Sequence, residues 1–336
     1  MSDFNTTHTL PGDENFHLFE QLPSKLYDKF VLSRINKPEK QHLKQCVLVI
    51  KNKVPVARAA FYINPNLKYN NAKTACIGSY ECIDDQETSG RLFDAIKKLA
   101  KQHKVQWLIG PMEGSTWSNY RFSTHHNAPD FFMEPHHHLY YNDHFTKAGF
   151  NAIANYLSSL DETLFYDLES IQEIEHNYLE KGLTLRNLNL DDFGNELQKI
   201  GKFSIDQFSS NFLYSPIQPN DFVEKYKPLK AFFNPQFIKV LENKNGEIQA
   251  FIFAIKDHLD SSNETLIIKS VVRKKDASIK HVGAYLAQKI NYLAKKSGYN
   301  KVIHAFMIDT NASHKISTQQ SASTYKAYAL YGMKIN

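Results

Sequence analysis

The sequence predicts an α/β protein in which one strand–loop–helix–strand unit occurs twice. Three observations lead there. The stretch from Leu266 to Ser313 reads as a strand, a basic loop, a helix and a second strand, with a polar exit at Asn311. Leu266, Ile267, Ile268, Val271 and Val272 make a short apolar run rich in β-branched side chains. Gly283 stands where a helix should open; Val282, Leu286, Ile290, Leu293 and Ala294 recur at helical spacing, and Gly298 closes it. The same order appears earlier. Ala75 to Ile83 reads as a strand, Asp84 to Ser89 as a polar loop, and Gly90 opens a helix carrying Leu92, Phe93, Ile96, Leu99 and Ala100; Val105 to Ile109 is the second strand. Finally, 336 residues exceed one typical domain and suit two.

Taken in order, residues 1–15 are polar and read as a flexible tail. Residues 16–165 form a first domain and 166–336 a second. Phe19, Leu22, Leu26 and Phe30 have helical spacing, broken by Pro23. Cys46 to Lys51 and Pro55 to Ile63 predict two strands joined by a tight turn at Lys51-Asn52-Lys53, before a turn-rich loop over Asn64 to Asn71. After Gly110-Pro111 ends its strand, Asn155 to Asp161 is the next, and Leu164 to Tyr178 a Glu-rich helix. The boundary falls between Asp161 and Gly182. Leu183 to Arg186 starts a strand, Asp191 to Phe212 and Pro219 to Tyr226 are helical, and Phe237 to Asn243 pairs with Glu247 to Lys256 around Asn245-Gly246.

A hydrophobic content of 42% with 22% charged residues supports real cores, so most of the 23 Phe and 18 Tyr belong inside and a few line a cleft. The formal charge of +5 is spread along the chain, unlike the clustered basic face of a nucleic-acid binder, so no such partner is expected. Cys46, Cys76 and Cys82 have no metal-type spacing and form no even disulfide set. They favour a reducing compartment and buried structural thiols. No apolar signal core opens the chain and no run approaches bilayer length, so a cytoplasmic protein without a membrane partner is expected. His125, His126, His136, His137, His138 and His144 cluster around Glu134 and Asp143, but none has His-Glu-x-x-His spacing. A polar loop is favoured there and no metal ligand is assigned. Neither a Gly-x-Ser-x-Gly elbow nor a P-loop is present.

Four segments carry a more specific signal. Gly110-Pro111-Met112-Glu113-Gly114-Ser115-Thr116-Trp117-Ser118-Asn119-Tyr120-Arg121 is one; Phe131-Phe132-Met133-Glu134-Pro135 with Tyr140-Tyr141 and Lys147-Ala148-Gly149-Phe150 is another. The third joins Lys269-Ser270-Val271-Val272 to Val302-Ile303-His304-Ala305-Phe306-Met307, Asn311 and Ser313, and the fourth is Tyr325 to Tyr331. From about Cys46 onward the chain resembles an uncharacterised bacterial group of the GNAT superfamily of N-acetyltransferases, with two GNAT folds in tandem.

The resemblance implies a fold of the α+β kind: two tandem sheets, each mixed but mainly antiparallel and flanked by helices. The strands around the Gly283 helix would run parallel through a right-handed crossover and splay to admit the pantetheine arm of coenzyme A. It implies an acyl-CoA-dependent N-acyltransferase taking acetyl-CoA or another acyl-CoA and acting on an unknown small-molecule or peptide amine. The alternative is a catalytically degenerate protein that binds a small metabolite or peptide without acyl transfer. An aminoacyl-ligation role rests on fold analogy alone. Oligomeric state is left open.

Residues follow from the same comparison. Ser270, Val271, Val272, the loop residues Lys280, His281, Val282, Gly283 and Ala284, and Asn311 and Ser313 match positions that hold the coenzyme. The superfamily loop reads Gln/Arg-x-x-Gly-x-Gly/Ala; here Ser278 and His281 replace two of its members and Gly283 matches. In the first half Glu87, after Asp84-Asp85, would repel a pyrophosphate, so the second half is the better coenzyme site. Arg273, Lys274, Lys275 and Lys280 either supply charge or form a solvated loop. Glu81 matches a base position, or is the solvent-face residue of a period-2 strand. Tyr120 and Tyr328 are assigned as catalytic; the segment where the superfamily often has its acid Tyr, Asn311 to Thr318 here, holds none. Trp117, Arg121 and Glu134 are assigned to substrate, in a cleft between the halves with Arg121 facing an anion; the other reading is an aromatic plug with Arg121 on its rim.

Overall fold

The computed structural model describes residues 3–35, 37–275, 279, 281–309 and 322–336. Their strands join one 14-stranded sheet. The chain opens with β1 (Phe4–Thr9), then the short helices α1 (Phe16–Gln21), α2 (Pro23–Leu26) and α3 (Lys29–Leu32). Pro23 makes the expected break by starting a new helix, where its missing N–H costs nothing. β2 (Leu43–Lys51) and β3 (Val54–Tyr62) form a hairpin through Asn52 and Lys53, both at positive φ as a tight right-twisting turn requires. β4 (Lys68–Tyr69) and β5 (Ala72–Cys82) follow, then α4 (Gln86–Gln102), β6 (Trp107–Gly110) and β7 (Phe122–Ser123). The first half ends with α5 (Tyr140–Lys147) and β8 (Asn151–Asp161).

The second half runs α6 (Leu168–Glu180), β9 (Leu183–Asn187), α7 (Phe193–Gln207), α8 (Pro219–Tyr226), β10 (Ile238–Asn243) and β11 (Ile248–Lys256). It closes with β12 (Thr265–Arg273), α9 (Val282–Lys296), β13 (Lys301–Ile308) and β14 (Ser323–Lys334).

Two expectations need correction. Residues 1–15 are no loose tail throughout, because Phe4–Thr9 pairs antiparallel with β2 from Phe4↔Lys51 to Thr9↔Cys46. A Thr-rich alternating stretch can pair at an edge without an apolar run to announce it. And α4 begins at Gln86, not Gly90: Asp85 caps it, its carboxylate accepting from the Thr88 N–H at 2.9 Å.

The repeated unit is present in both halves. β5 pairs parallel with β6 across α4, and β12 pairs parallel with β13 across α9. All other ladders are antiparallel, which gives the mixed, mainly antiparallel sheet. The order β1-β2-β3-β5-β6-β14-β8-β13-β12-β11-β10-β9 contains an exchange. β14, from the chain's end, lies between β6 and β8, while β8, from the first half, pairs with β13. Each half hands its last strand to the other's sheet. The two exchanged strands pair along Ser323↔Leu160 to Gly332↔Asn151.

Each long helix covers one sheet face. α4 buries Leu92, Phe93 and Ile96 against Val47, Ala59 and Ile77, and α9 buries Leu286 and Ile290 against Ile252, Leu266 and Val302. Leu286 and Ile290 are fully buried, a gain of about 1.5–3 kcal/mol each over exposure.

Candidate active site

The site begins where two strands part. β12 and β13 pair from Thr265↔Lys301 to Ile268↔His304, and then both run on without pairing to each other. Both are irregular at that level. β12 shifts against β11 at Phe253/Ala254, leaving Lys269 as an extra residue, and β13 shifts against β8 between His304 and Met307. Such bulges bend strands and interrupt ladders. A cavity of about 730 Å³ opens there. Ile268 to Val271, Ala287 of α9 and His304 to Met307 form its floor; Trp117, Tyr120 and Arg121 of the first half and Phe208, Tyr214 and Tyr226 close it.

α9 reaches this cavity through Ala287, in its second turn. His281 sits at its N-cap with φ +58° and no capping hydrogen bond from its side chain, and the Tyr285 N–H closes the first turn onto the His281 carbonyl at 3.0 Å. The amides of Val282, Gly283 and Ala284 therefore lie in the first turn, which has no intrahelical acceptors. Val282 and Val272 spend their side chains in core clusters, so of the β12 residues assigned to coenzyme only Ser270 and Val271 line the cavity. Lys280, Asn311 and Ser313 lie outside the described residues.

The matching slot in the first half is filled. β5 and β6 pair from Thr74↔Trp107 to Cys76↔Ile109, and β5 is irregular against β3 between Arg58 and Ala60. Glu113 reaches into the gap. Its carboxylate accepts from the Ser79 N–H and the Tyr62 hydroxyl, and from the Ser79 hydroxyl at 3.0 Å. Gly78 leaves room for it, since a Cβ there would lie 2.7 Å from the Glu113 carboxyl carbon. The cavity that remains measures about 80 Å³. At the N-terminus of α4 the Asp85 carboxylate already sits where an anion would bind.

The structure gathers Trp117, Tyr120, Arg121, Ser270 and Val271 at the large cavity. Trp117 is wall and plug together: its Nε1 donates to the Ser215 carbonyl at 2.8 Å and its ring packs on Phe208, Tyr214 and Phe222. The Arg121 guanidinium lies 4.1 Å from the ring centroids of both Tyr120 and Phe306 and 4.9 Å from that of Tyr156. Its Nε and Nη1 are buried without an acceptor.

His281, Gly283 and Ala284 are not on the lining, and Glu81, Glu134 and Tyr328 also lie elsewhere. Glu81 lines only the small cavity and is buried, so it is not a solvent-face residue. It accepts from Tyr27 at 2.6 Å and Tyr141 at 2.7 Å and faces Arg58 at 3.8 Å; burial pushes its pKa up against those partners. Glu134 is buried beside β14, accepting from Lys326 Nζ at 2.9 Å. Tyr328 is buried on β14 with its hydroxyl 3.2 Å from that of Ser158. The histidines are used separately: His136 pairs with Asp130 at 2.5 Å, His137 with the Ser123 carbonyl, His138 with the Leu26 carbonyl and His144 with Tyr80. Among the described residues no three His, Cys, Asp or Glu side chains converge to hold a metal.

Sequence reasoning passed over Glu113, Lys269 and Phe306. All three lie inside the motif segments, and the charged members of an otherwise aromatic or β-branched run were the available signal. Lys269 faces the cavity with its Nζ 3.9 Å from the Phe306 ring centroid. Burial, and then the positive charge of Arg121, hold its pKa well below the usual lysine value.

No family model matches the chain, and no curated protein matches it in sequence. Solved structures match across nearly its whole length. The GCN5-related glucosamine N-acetyltransferase region of a fungal multi-domain GH3 β-N-acetylglucosaminidase covers 99% of the chain at 13% identity and a TM-score of 0.59; the chain spans 38% of that protein's length. A GCN5-related N-acetyltransferase from Sphaerobacter thermophilus covers 99% at 10% identity and a TM-score of 0.54, with 96% of its own length matched. A tandem GNAT protein from the clavulanic acid biosynthesis pathway covers 99% at 9% identity and 0.54, with 99% of its own length matched. At such identities the shared property is the fold alone: this chain has the same tandem fold as these proteins. Among the described residues no helix is long and apolar enough to cross a membrane.

Proposed function

We propose that the chain is an acyl-CoA-dependent N-acyltransferase whose single coenzyme site is the cleft between β12 and β13. The observation that carries this is the contrast between two equivalent slots, one open to about 730 Å³ and the other reduced to about 80 Å³ by Glu113. The open slot suits an acyl-CoA arm: parted parallel strands offer unpaired backbone along Ser270 and Val271, and the first turn of α9 offers amides to phosphate. When bound, an acyl-CoA supplies an activated thioester carbonyl to an attacking amine. Trp117 and the aromatic side chains of Phe208, Tyr214 and Tyr226 exclude water from that space. Two carboxylates line the cavity: Glu39 is paired with Lys225 at 2.8 Å, whereas Glu113 has its pKa raised by burial despite the bonds from Tyr62 and Ser79, so Glu113 is the proposed acceptor of the amine's proton. Tyr120, on the same wall, is the proposed donor to the departing thiolate.

The test is a titration of acetyl-CoA against melting temperature. A ligand at a hundred times its Kd stabilises the native state by about 2.7 kcal/mol, so a rise is expected, and Ser270→Phe should remove it. No rise at saturation overturns the coenzyme site. Release of free thiol with an amine panel then separates transfer from binding alone: a melting shift with no release for any amine favours the non-catalytic reading.

A further inference from the structure

We propose that the acceptor amine carries an anionic oxo group, a carboxylate or phosphate, bound by Arg121 and Lys269 around the ring of Phe306. This rests on the acyl-transfer reading of the cleft and names its substrate class.

Two cations share one aromatic ring. The Arg121 guanidinium carbon is 4.1 Å from the Phe306 centroid and Lys269 Nζ is 3.9 Å from it, so the cations are no farther apart than those two distances combined. Both line the cavity. The Arg121 guanidinium lies against Tyr120 and Phe306, 4.1 Å from each centroid, and its buried Nε and Nη1 donors have no acceptor. Among the described residues no carboxylate forms an ion pair with either cation. Glu134, whose charge reaches Lys269, is held by Lys326 at 2.9 Å, and Glu113 is held by Tyr62 and Ser79. The other titratable groups on the lining are His304, Tyr120, Tyr214, Tyr226, Lys37 and the Glu39–Lys225 ion pair. Two neighbouring cations in a water-poor site repel each other, and an anion placed between them removes that penalty. The same field rejects acceptors that carry only positive charge.

Position separates this anion site from the coenzyme's phosphates. Along β12, Leu266 and Ile268 pack under α9, whereas Ile267 packs on the opposite face with Ile303 and Ala305. Phe306 stacks beside Phe131 of that second face, with centroids 5.3 Å apart. Arg121 and Lys269 therefore hold the side of the cleft turned away from the helix N-terminus.

The test uses the full chain without coenzyme. The probes are the twenty proteinogenic amino acids, each paired with its α-carboxamide, and phosphoethanolamine paired with ethanolamine. Melting shifts identify binders, and calorimetry then gives their affinity. At least one member bearing the anionic group should bind, its twin lacking that group should bind about tenfold or more weakly, and Arg121→Gln or Lys269→Met should cost a similar factor, the loss expected for one charge-assisted hydrogen bond. A carboxylate binder and a phosphate binder support the same site and identify the source. No anionic binder, equal binding of the twins, or unchanged binding by both variants overturns the proposal. Acetyl-CoA shifts measured on the same proteins confirm that the variants keep the cleft, and their absence in wild type would sink the coenzyme reading instead. Arg121→Lys serves where Arg121→Gln does not fold.

Discussion

Replacing Lys326 with methionine should destabilise the protein by about 3–5 kcal/mol, the loss expected when a buried ion pair loses one partner. Lys326 is fully buried on β14, the exchanged strand, and donates to Asp130 and Glu134 at 2.9 Å each. Asp130 also takes Arg34 at 3.1 Å and His136 at 2.5 Å. Methionine fills nearly the same space, so packing changes little and the loss is electrostatic. Asp130 keeps two partners, but Glu134 becomes a buried carboxylate with no cation. Its pKa is already raised by burial, against the pull of Lys326. Without Lys326 it rises further, and a group with a raised folded-state pKa costs stability as pH climbs through that value. The deficit should therefore be largest above neutrality and shrink as pH falls toward 5. Adding Glu134→Gln should recover much of the loss, because the amide buries no charge. Urea unfolding at pH 8 and pH 5 for the single and double variants measures all of this. A single-variant loss below about 1 kcal/mol, or a loss that grows on acidification, would refute the reasoning.

Glu113→Ala should cost about 2–4 kcal/mol in denaturant unfolding, since it strips acceptors from the Ser79 N–H and the Tyr62 hydroxyl. Gly78→Ala should cost about 1–3 kcal/mol in the same assay by driving a methyl group into that carboxylate. Glu113→Gln should keep the acetyl-CoA melting shift while lowering thiol release about a hundredfold; unchanged turnover would remove Glu113 from the chemistry. The three cysteines should not react with Ellman's reagent in the native protein and should all react in urea. Each is buried, and burial lifts the Cys46 and Cys82 thiols to about 12 and Cys76 higher still. One native equivalent reacting promptly would contradict this.

Local pattern made much of the fold legible. The 3.6-residue recurrence of Leu286, Ile290 and Ala294 and the β-branched run of β12 report burial directly, so α9 and its flanking strands lie where the spacing predicts. The Gly110-to-Arg121 motif contributed Trp117, Tyr120 and Arg121 to the cavity wall. Its Glu113 was not legible, because nothing local shows that a carboxylate will turn back into the gap between β5 and β6. Glu81 and Glu134 looked available for chemistry, but residues distant in sequence consume them: Tyr141 and Tyr27 for one, Lys326 for the other.

The parallel crossover around Gly283 came from the family resemblance; the sequence by itself determined the two strand–loop–helix–strand units and the contrast between an acidic first loop and a basic second one. Those features depend on side-chain periodicity and on charges within a few residues. Only the tertiary structure decided that β8 and β14 cross between the halves, that one slot is plugged and the other open, and that Arg121 and Lys269 meet over Phe306. Each of these depends on which strand edge a distant segment fills. Strand pairing is set by hydrogen bonds that every backbone offers alike, so the sequence does not name its partners until the whole sheet has formed.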